Sequence, residues 1–328
     1  MGWLMRVAVI GAGAMGSLFG GLMALAGDEV WLVGHRRNPH IDAMVDRGLD
    51  MTHADGRRHA RPGVTVDPAG LGQADLVIFL TKAFSTADAA RHARPLFGPG
   101  TVAVTLQNGV GNAEAIREIL GRQPILAGVT NIGANIISPG AIRLTDAAQR
   151  GAGGTWIGPF EDTAGTADLA RAAACLRRAG ILTHEEPDIA LTIWRKMGLV
   201  CGMAAISSVA RLRVGHVFDT AEGVTLLKEI IGEVAAVATA KGVALDPQAA
   251  IDYAFGTYGL SRQHITSMAA DVLAGLPTEI WAFNEAVVRE AGKLGLDSPV
   301  NRTMARLLRI LEANYDNILP MSRGGPAA

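Results

Sequence analysis

Apolar residues follow two rhythms along this chain, and the change of rhythm divides it. In the first half they come as short unbroken runs. Val7 to Ile10 reads as a strand buried on both faces, Ala14 to Ala26 as a small-residue helix behind it, and Glu29 to Val33 as the strand completing a βαβ unit. Asp75 to Leu80 and Thr101 to Leu106 repeat the buried-strand pattern. Asp50 to Asp67, rich in Arg and His, predicts an exposed hairpin or loop. Pro124 to Val129, Ala141 to Leu144 and Gly154 to Ile157 are short strands spaced closely enough to suggest an antiparallel extension, and Thr163 to Ala179 is a helix with Gly180 as its C-cap. From Asp188 the strand signals stop. Helical patterns then run over Ile189 to Ala210, Thr220 to Lys241, Pro247 to Tyr258, Pro277 to Lys293 and Asn301 to Tyr315. The expected architecture is α/β: a Rossmann-type doubly wound domain over 1–187, an all-α domain over 188–320, and a disordered tail over 321–328.

The chain has 328 residues, 49% apolar and 19% charged, with a net charge of −1, enough to bury two cores and without the basic footprint of a nucleic-acid or membrane-surface protein. Cys175 and Cys201 stand alone, with no metal-ligand spacing, as reduced cytoplasmic thiols do. The first strand begins within about five residues of Met1, which leaves no room for a signal peptide, and the apolar stretches are explained by the fold rather than by a membrane span.

The first strand breaks into Gly11-Ala12-Gly13-Ala14-Met15-Gly16. In a strand–turn–helix setting, Gly11 allows the tight turn, Gly13 the close approach of a pyrophosphate, and Gly16 close helix–sheet packing. No acid stands between Val30 and His40, where an NAD site places a carboxylate on the ribose. His35, Arg36 and Arg37 stand there instead and favour a 2′-phosphate, hence NADP(H). Lys82 and Asn108 follow the next two strands and so fall on the cofactor edge. Lys196 lies within a helix beside Trp194, Met197 and Leu199, and Ser267 and Glu279 lie further on. Each is weak evidence by itself, because lysines and glutamates on helices are mostly surface residues.

Together these pieces resemble the ketopantoate reductase (2-dehydropantoate 2-reductase) family: the glycine motif, Thr81-Lys82, Asn108-Gly109-Val110-Gly111, Trp194-Arg195-Lys196, Ser267-Met268 and Thr278-Glu279-Ile280, with Ser267 and Glu279 at the separation the family shows. The resemblance implies a 6-phosphogluconate dehydrogenase-like pair of domains, with substrate in the cleft between them, and transfer of hydride between NADP(H) and a keto acid. It implies Lys196 as general acid, Glu279 orienting it and touching cofactor or substrate, and Ser267 on the substrate carboxylate. Lys82 and Asn108 would hold the cofactor and reacting carbonyl, and Ala134 would make a backbone contact to the cofactor. Where the family carries asparagines that hold its hydroxy-keto acid, this chain has Val200, Ala204 and Val214. A substrate bulkier or more apolar than ketopantoate is therefore expected. Arg211 and Arg213 read either as a carboxylate grip or as an exposed basic turn, and His216 and His264 as structural. An imine- or opine-type or 3-hydroxy acid dehydrogenase is the alternative on the same fold, and a non-catalytic NADP sensor the alternative in class. A homodimer is expected, since the later helices hold more apolar faces than one small domain needs.

Overall fold

The computed structural model describes residues 4–145, 153–259 and 261–318. The expected tail over 321–328 lies outside them. Two compact units divide the chain, Met1–Ile193 and Trp194–Ala328.

The first unit holds twelve strands among its described residues: β1 Arg6–Ile10, β2 Glu29–Val33, β3 Leu49–His53, β4 Gly56–Ala60, β5 Gly63–Thr65, β6 Leu76–Phe79, β7 Val102–Thr105, β8 Ile125–Thr130, β9 Ala134–Ser138, β10 Ala141–Leu144, β11 Thr155–Pro159 and β12 Thr183–Glu185. Eight form the main sheet in the order β12-β11-β8-β7-β6-β1-β2-β5. From β8 through β7, β6, β1 and β2 to β5 the pairing is parallel, as continuous apolar runs buried on both faces require. The expected antiparallel extension differs from its three strands: in the main sheet β11 pairs antiparallel with β8, and β12 continues parallel to β11. β10 joins a second sheet, ordered β4-β3-β10-β9, which also takes up the hairpin predicted within Asp50 to Asp67.

Five helices accompany these strands among the described residues: α1 Ala14–Leu25, α2 Pro39–Arg47, α3 Thr86–Ala93, α4 Asn112–Leu120 and α5 Thr166–Arg178. α1 packs on strands of both sheets, and its glycines make that possible. A Cβ on Gly20 would sit 2.3 Å from Leu32 Cδ2 of the main sheet, and one on Gly21 2.7 Å from Met51 Sδ of the second. Two longer links hold the ends of this arrangement. Buried Asp28, in the turn after α1, accepts from Met5 N–H at 2.9 Å and pairs with Arg178 of α5. His40 of α2 has Ser17 Oγ of α1 at 3.0 Å from Nε2, while Gly140 N–H donates to Nδ1 at 3.0 Å.

The second unit takes most of α6 Ile189–Ala210, then α7 Val214–Phe218, α8 Ala221–Ala240, α9 Pro247–Gly259, α10 Ser267–Leu273, α11 Asn284–Lys293 and α12 Pro299–Glu312. α6 is long and apolar enough to cross a membrane, yet 67% of its apolar 18-residue window is buried inside the fold. Gly198 and Gly202 let α6 approach α8, where a Cβ on Gly202 would meet Leu227 Cδ1 at 2.3 Å. Glu233 of α8 caps α12 by accepting from Val300 and Asn301 N–H. The helix expected over Pro277 to Lys293 is broken: Ile280–Ala282 forms one 3₁₀ turn, and Phe283, at φ −106° and ψ −107°, precedes α11.

Burial lowers the pKa of His40 below 6.5, against an opposing contact with the Ser138 backbone. The unfolded chain therefore takes up this proton first, and the stability His40 contributes is lost as pH falls below 6.5. Urea titrations from about pH 7 to about pH 5 should show the wild type losing more stability than His40→Gln; equal losses would remove His40 as the cause.

Candidate active site

Parallel strands present their carboxyl ends at one edge of a sheet, and neighbouring strands β7, β6, β1 and β2 each lead there into a loop carrying a predicted site residue. After β1, Gly11 turns at φ +109°, and a Cβ there would lie 2.8 Å from Leu80 C and Thr81 N. Gly16 faces back onto this turn so closely that its Cβ would fall 1.8 Å from Gly11 O. Gly13 differs: it is exposed, and a Cβ on it would meet nothing within 4 Å. It is the N-cap of α1, with no side-chain cap and no acid in the first turn, which leaves the N–H groups of Ala14 and Met15 for an anion. An open position over uncapped N–H groups fits a dinucleotide pyrophosphate.

After β2, His35 and Arg36 are exposed. Arg37 is bound to Asp42, whereas Arg36 enters no ion pair among the described residues. After β6, Lys82 is exposed and is the N-cap of the 3₁₀ turn Ala83–Ser85. After β7, Asn108 is half-buried in a glycine-rich turn. Ala134 opens β9, a strand that α1 packs against.

Between the last two loops lies a network that motif reading missed. Gln107, buried, donates through Nε2 to Thr81 O and Thr81 Oγ1 at 3.0 Å each and to Thr86 Oγ1 at 2.8 Å. Asn112 Nδ2 holds Asn108 O at 3.0 Å. The only sequence signal was polar residues set directly after two apolar strands.

In the second unit the structure brings Lys196 and Glu279 together. Lys196 is half-buried on α6, and Glu279 is buried at the start of the 3₁₀ turn after Thr278. Loss of hydration lowers the Lys196 pKa to about 8, while the Glu279 carboxylate raises it against that loss. Glu279 is held in place by its neighbour, since Thr278 donates its N–H and its hydroxyl to Glu312 Oε1 at 2.7 and 2.6 Å. Val200 and Ala204 follow Lys196 on the same stripe of α6, away from Gly198 and Gly202 by helical periodicity. Val200 is half-buried, Ala204 and Val214 are buried, and none offers a side-chain donor. Ser267, exposed, is the first residue of α10. Its predecessor Thr266 caps that helix and meets Ser207 Oγ of α6 at 2.9 Å. Arg211, just past α6, has φ +55°, and Arg213 donates to Gln263 O. Among the described residues, no three His, Cys, Asp or Glu side chains are placed to hold a metal.

Uncapped N–H groups in the first unit fit a dinucleotide, and a desolvated lysine beside a carboxylate in the second fits a proton donor, as a nicotinamide-dependent oxidoreductase requires. The comparisons agree: residues 7–162 match the family model "Ketopantoate reductase PanE/ApbA" and residues 188–312 its "Ketopantoate reductase PanE/ApbA C terminal". The chain belongs to the ketopantoate reductase family. It is 32% identical to a 2-dehydropantoate 2-reductase of Halobacterium salinarum, over 94% of this chain and 99% of that one. A PanE/ApbA family ketopantoate reductase from Ralstonia eutropha superposes with a TM-score of 0.83 at 29% identity, covering 95% and 100% of the two chains. D-mandelate dehydrogenase, solved with NADH and anilino(oxo)acetate, shares the fold with a TM-score of 0.88 at 24% identity and the same coverage.

Gly13 and Gly16 separate cofactor binding from packing. Gly13→Ala, with nothing in its way, should leave the melting temperature near wild type yet weaken dinucleotide binding by about tenfold or more. Gly16→Ala should cost about 2–4 kcal/mol of stability as helix and turn are forced apart. Calorimetry and dinucleotide titration of both variants check the pair, and a Gly13→Ala protein that binds normally would contradict it.

Proposed function

We propose that this protein is an NADPH-dependent reductase of a small 2-keto acid or related ketone, bulkier or more apolar than ketopantoate, with Lys196 as general acid. The observation carrying the reading is Lys196 on α6, half-buried and with its pKa lowered to about 8 by lost hydration, while the buried Glu279 carboxylate raises it in return. When bound, the reduced nicotinamide supplies hydride to the carbonyl carbon. Gly11, Ala12, Gly13, Ala14, Met15 and Gly16 would cradle the pyrophosphate, His35 and Arg36 the 2′-phosphate, Lys82 and Asn108 the remaining cofactor and the carbonyl, with Ala134 contributing backbone. Lys196 delivers its proton to the carbonyl oxygen, and its ammonium steadies the negative charge that grows there first. Glu279 keeps the lysine charged and aimed, and the Ser267 hydroxyl donates to the substrate carboxylate at the head of α10.

Val200, Ala204 and Val214 support the choice of substrate. Each hydrogen bond a hydroxylated keto acid would find missing costs about 0.5–1.5 kcal/mol, so such a substrate is disfavoured while an apolar side chain is not. The fold itself accommodates such ligands, as D-mandelate dehydrogenase with its anilino(oxo)acetate illustrates. Two buried, unpaired cysteines support work in the reducing cytoplasm, and burial pushes the Cys175 thiol up to about 12, too weakly acidic to serve as a nucleophile. Exposed Leu273, Leu276, Leu307 and Ile310 on the helical unit support a homodimer.

Reduction needs Lys196 protonated, so kcat/KM for NADPH oxidation should fall as pH rises through about 8, while oxidation of the hydroxy acid should rise through the same range. Glu279→Gln removes the charge that raises the lysine and should move both limbs to lower pH. Lys196→Ala should lower turnover by about 10²–10⁴-fold with NADPH affinity nearly intact; unchanged turnover would remove the lysine from the mechanism and favour a cofactor sensor.

A panel of 2-keto acids with either cofactor tests specificity. Bulky apolar keto acids should outperform ketopantoate, the pair Val200→Asn and Ala204→Asn should narrow that gap, and Arg36→Ala should reduce the preference for NADPH over NADH by about tenfold or more. Preferred ketopantoate turnover by the wild type would overturn the substrate assignment.

A further inference from the structure

We propose that Gln107 is a positioning residue that sets the Lys82 and Asn108 loops as one unit for cofactor binding. This rests on the reading of Lys82 and Asn108 as cofactor contacts.

The geometry fixes the direction of the Gln107 amide. Thr81 O can only accept, so the amide atom 3.0 Å from it is Nε2, which leaves Oε1 to accept from Thr105 Oγ1 at 3.0 Å. Thr81 immediately precedes Lys82, and both its carbonyl and its hydroxyl accept from that one nitrogen. Thr86 Oγ1 accepts from Nε2 and lies 2.8 Å from both Ala83 O and Asn112 Oδ1. The chain of contacts then turns back through Asn112 Nδ2 to the carbonyl of Asn108. One side chain on the β7 loop therefore holds the residue that precedes Lys82, and the same network reaches the Asn108 carbonyl.

Thr105, Gln107, Thr86 and Asn112 are buried, and Thr81 and Asn108 half-buried. Loops at a ligand-facing edge are ordinarily the least restrained part of a fold. Here the polar groups of Gln107, Thr86 and Asn112 are satisfied inward, at the expense of burying an amide, while Lys82 on the same loop is exposed. A buried network with every donor matched behaves as a single element, because the loss of one member leaves its partners unpaired.

Gln107→Glu keeps shape but replaces the Nε2 donor with an acceptor facing Thr81 O. Thr86→Val removes the shared hydroxyl with less perturbation, and Thr86→Ser restores it. NADPH affinity, with NADH in parallel, is measured by titration of each purified protein, alone and combined with Lys82→Ala, beside melting temperature and the split between KM and kcat. Gln107→Glu and Thr86→Val should each weaken NADPH binding about tenfold, raise its KM more than they lower kcat, and add little once Lys82→Ala is present. Thr86→Ser should bind as wild type. Unchanged affinity in both variants, or effects that multiply in full with Lys82→Ala, would overturn the proposal and leave Gln107 a residue of general stability. Unchanged affinity in Lys82→Ala alone would instead overturn the reading of Lys82 as a cofactor contact, and the proposal with it.

Discussion

The first unit depends on one helix serving two sheets. α1 lies against the main sheet through Gly20 and against the second sheet through Gly21, and at its N-terminus Gly16 closes onto the Gly11 turn. Each glycine inside a helix costs about 1 kcal/mol relative to alanine, so α1 is intrinsically a poor helix. It forms because apolar groups on both sides, Leu32 and Met51 among them, are buried only when the backbone comes this close. The consequence reaches the site. A helix gripped from two sides cannot shift along its axis, so the uncapped N–H groups at Gly13 stay aimed at one point. Asp28 with Arg178, and His40 with Ser17 and Gly140, fasten the elements around it.

The second unit combines a close approach, of α6 to α8 at Gly202, with a charge set in desolvated surroundings. An ammonium half-buried among apolar side chains is unstable, and without Glu279 its pKa would lie below about 8. Val200 and Ala204 follow the lysine by one and two turns on the same stripe of α6 and offer no side-chain donor. On the proposed reading, amides at these positions would hold a substrate hydroxyl and also add polar groups to the lysine's stripe, so substrate range and proton affinity would move together.

Sequence reading was most successful where one local signal sufficed. β1, β6 and β7 were legible as apolar runs with no polar alternation, since a parallel central strand is buried on both faces, and the glycine turn was legible from its place between strand and helix. The second sheet was not. Its hairpin strand β4 carries Arg57, Arg58 and His59, all exposed, and its partners β9 and β10 arrive from some eighty residues further on. The break at Phe283 was equally hidden, because the apolar residues on both sides of it keep helical spacing. Among candidate site residues, Lys196 and Glu279 were individually weak signals and gained meaning from the set of motifs they belong to, before the structure brought the two together. Gln107 and Asn112 looked like ordinary loop amides, because what distinguishes them is burial and partners contributed by a different loop.

The basic stretch after β2 shows how the structure refines a charge count. The sequence has two arginines and a histidine there, which suggests a strong grip on a 2′-phosphate. Arg37, however, is already committed to Asp42, within the first turn of α2, while Asn38 accepts from His40 and Ile41 N–H as the helix cap. Arg36 is therefore the guanidinium left for the proposed phosphate contact. A single charge-assisted interaction contributes about 1.5–3 kcal/mol, roughly a ten- to hundredfold preference. On the proposed reading that magnitude favours NADPH without excluding NADH. Strict exclusion would need a second cation, and the ion pair with Asp42 withholds it.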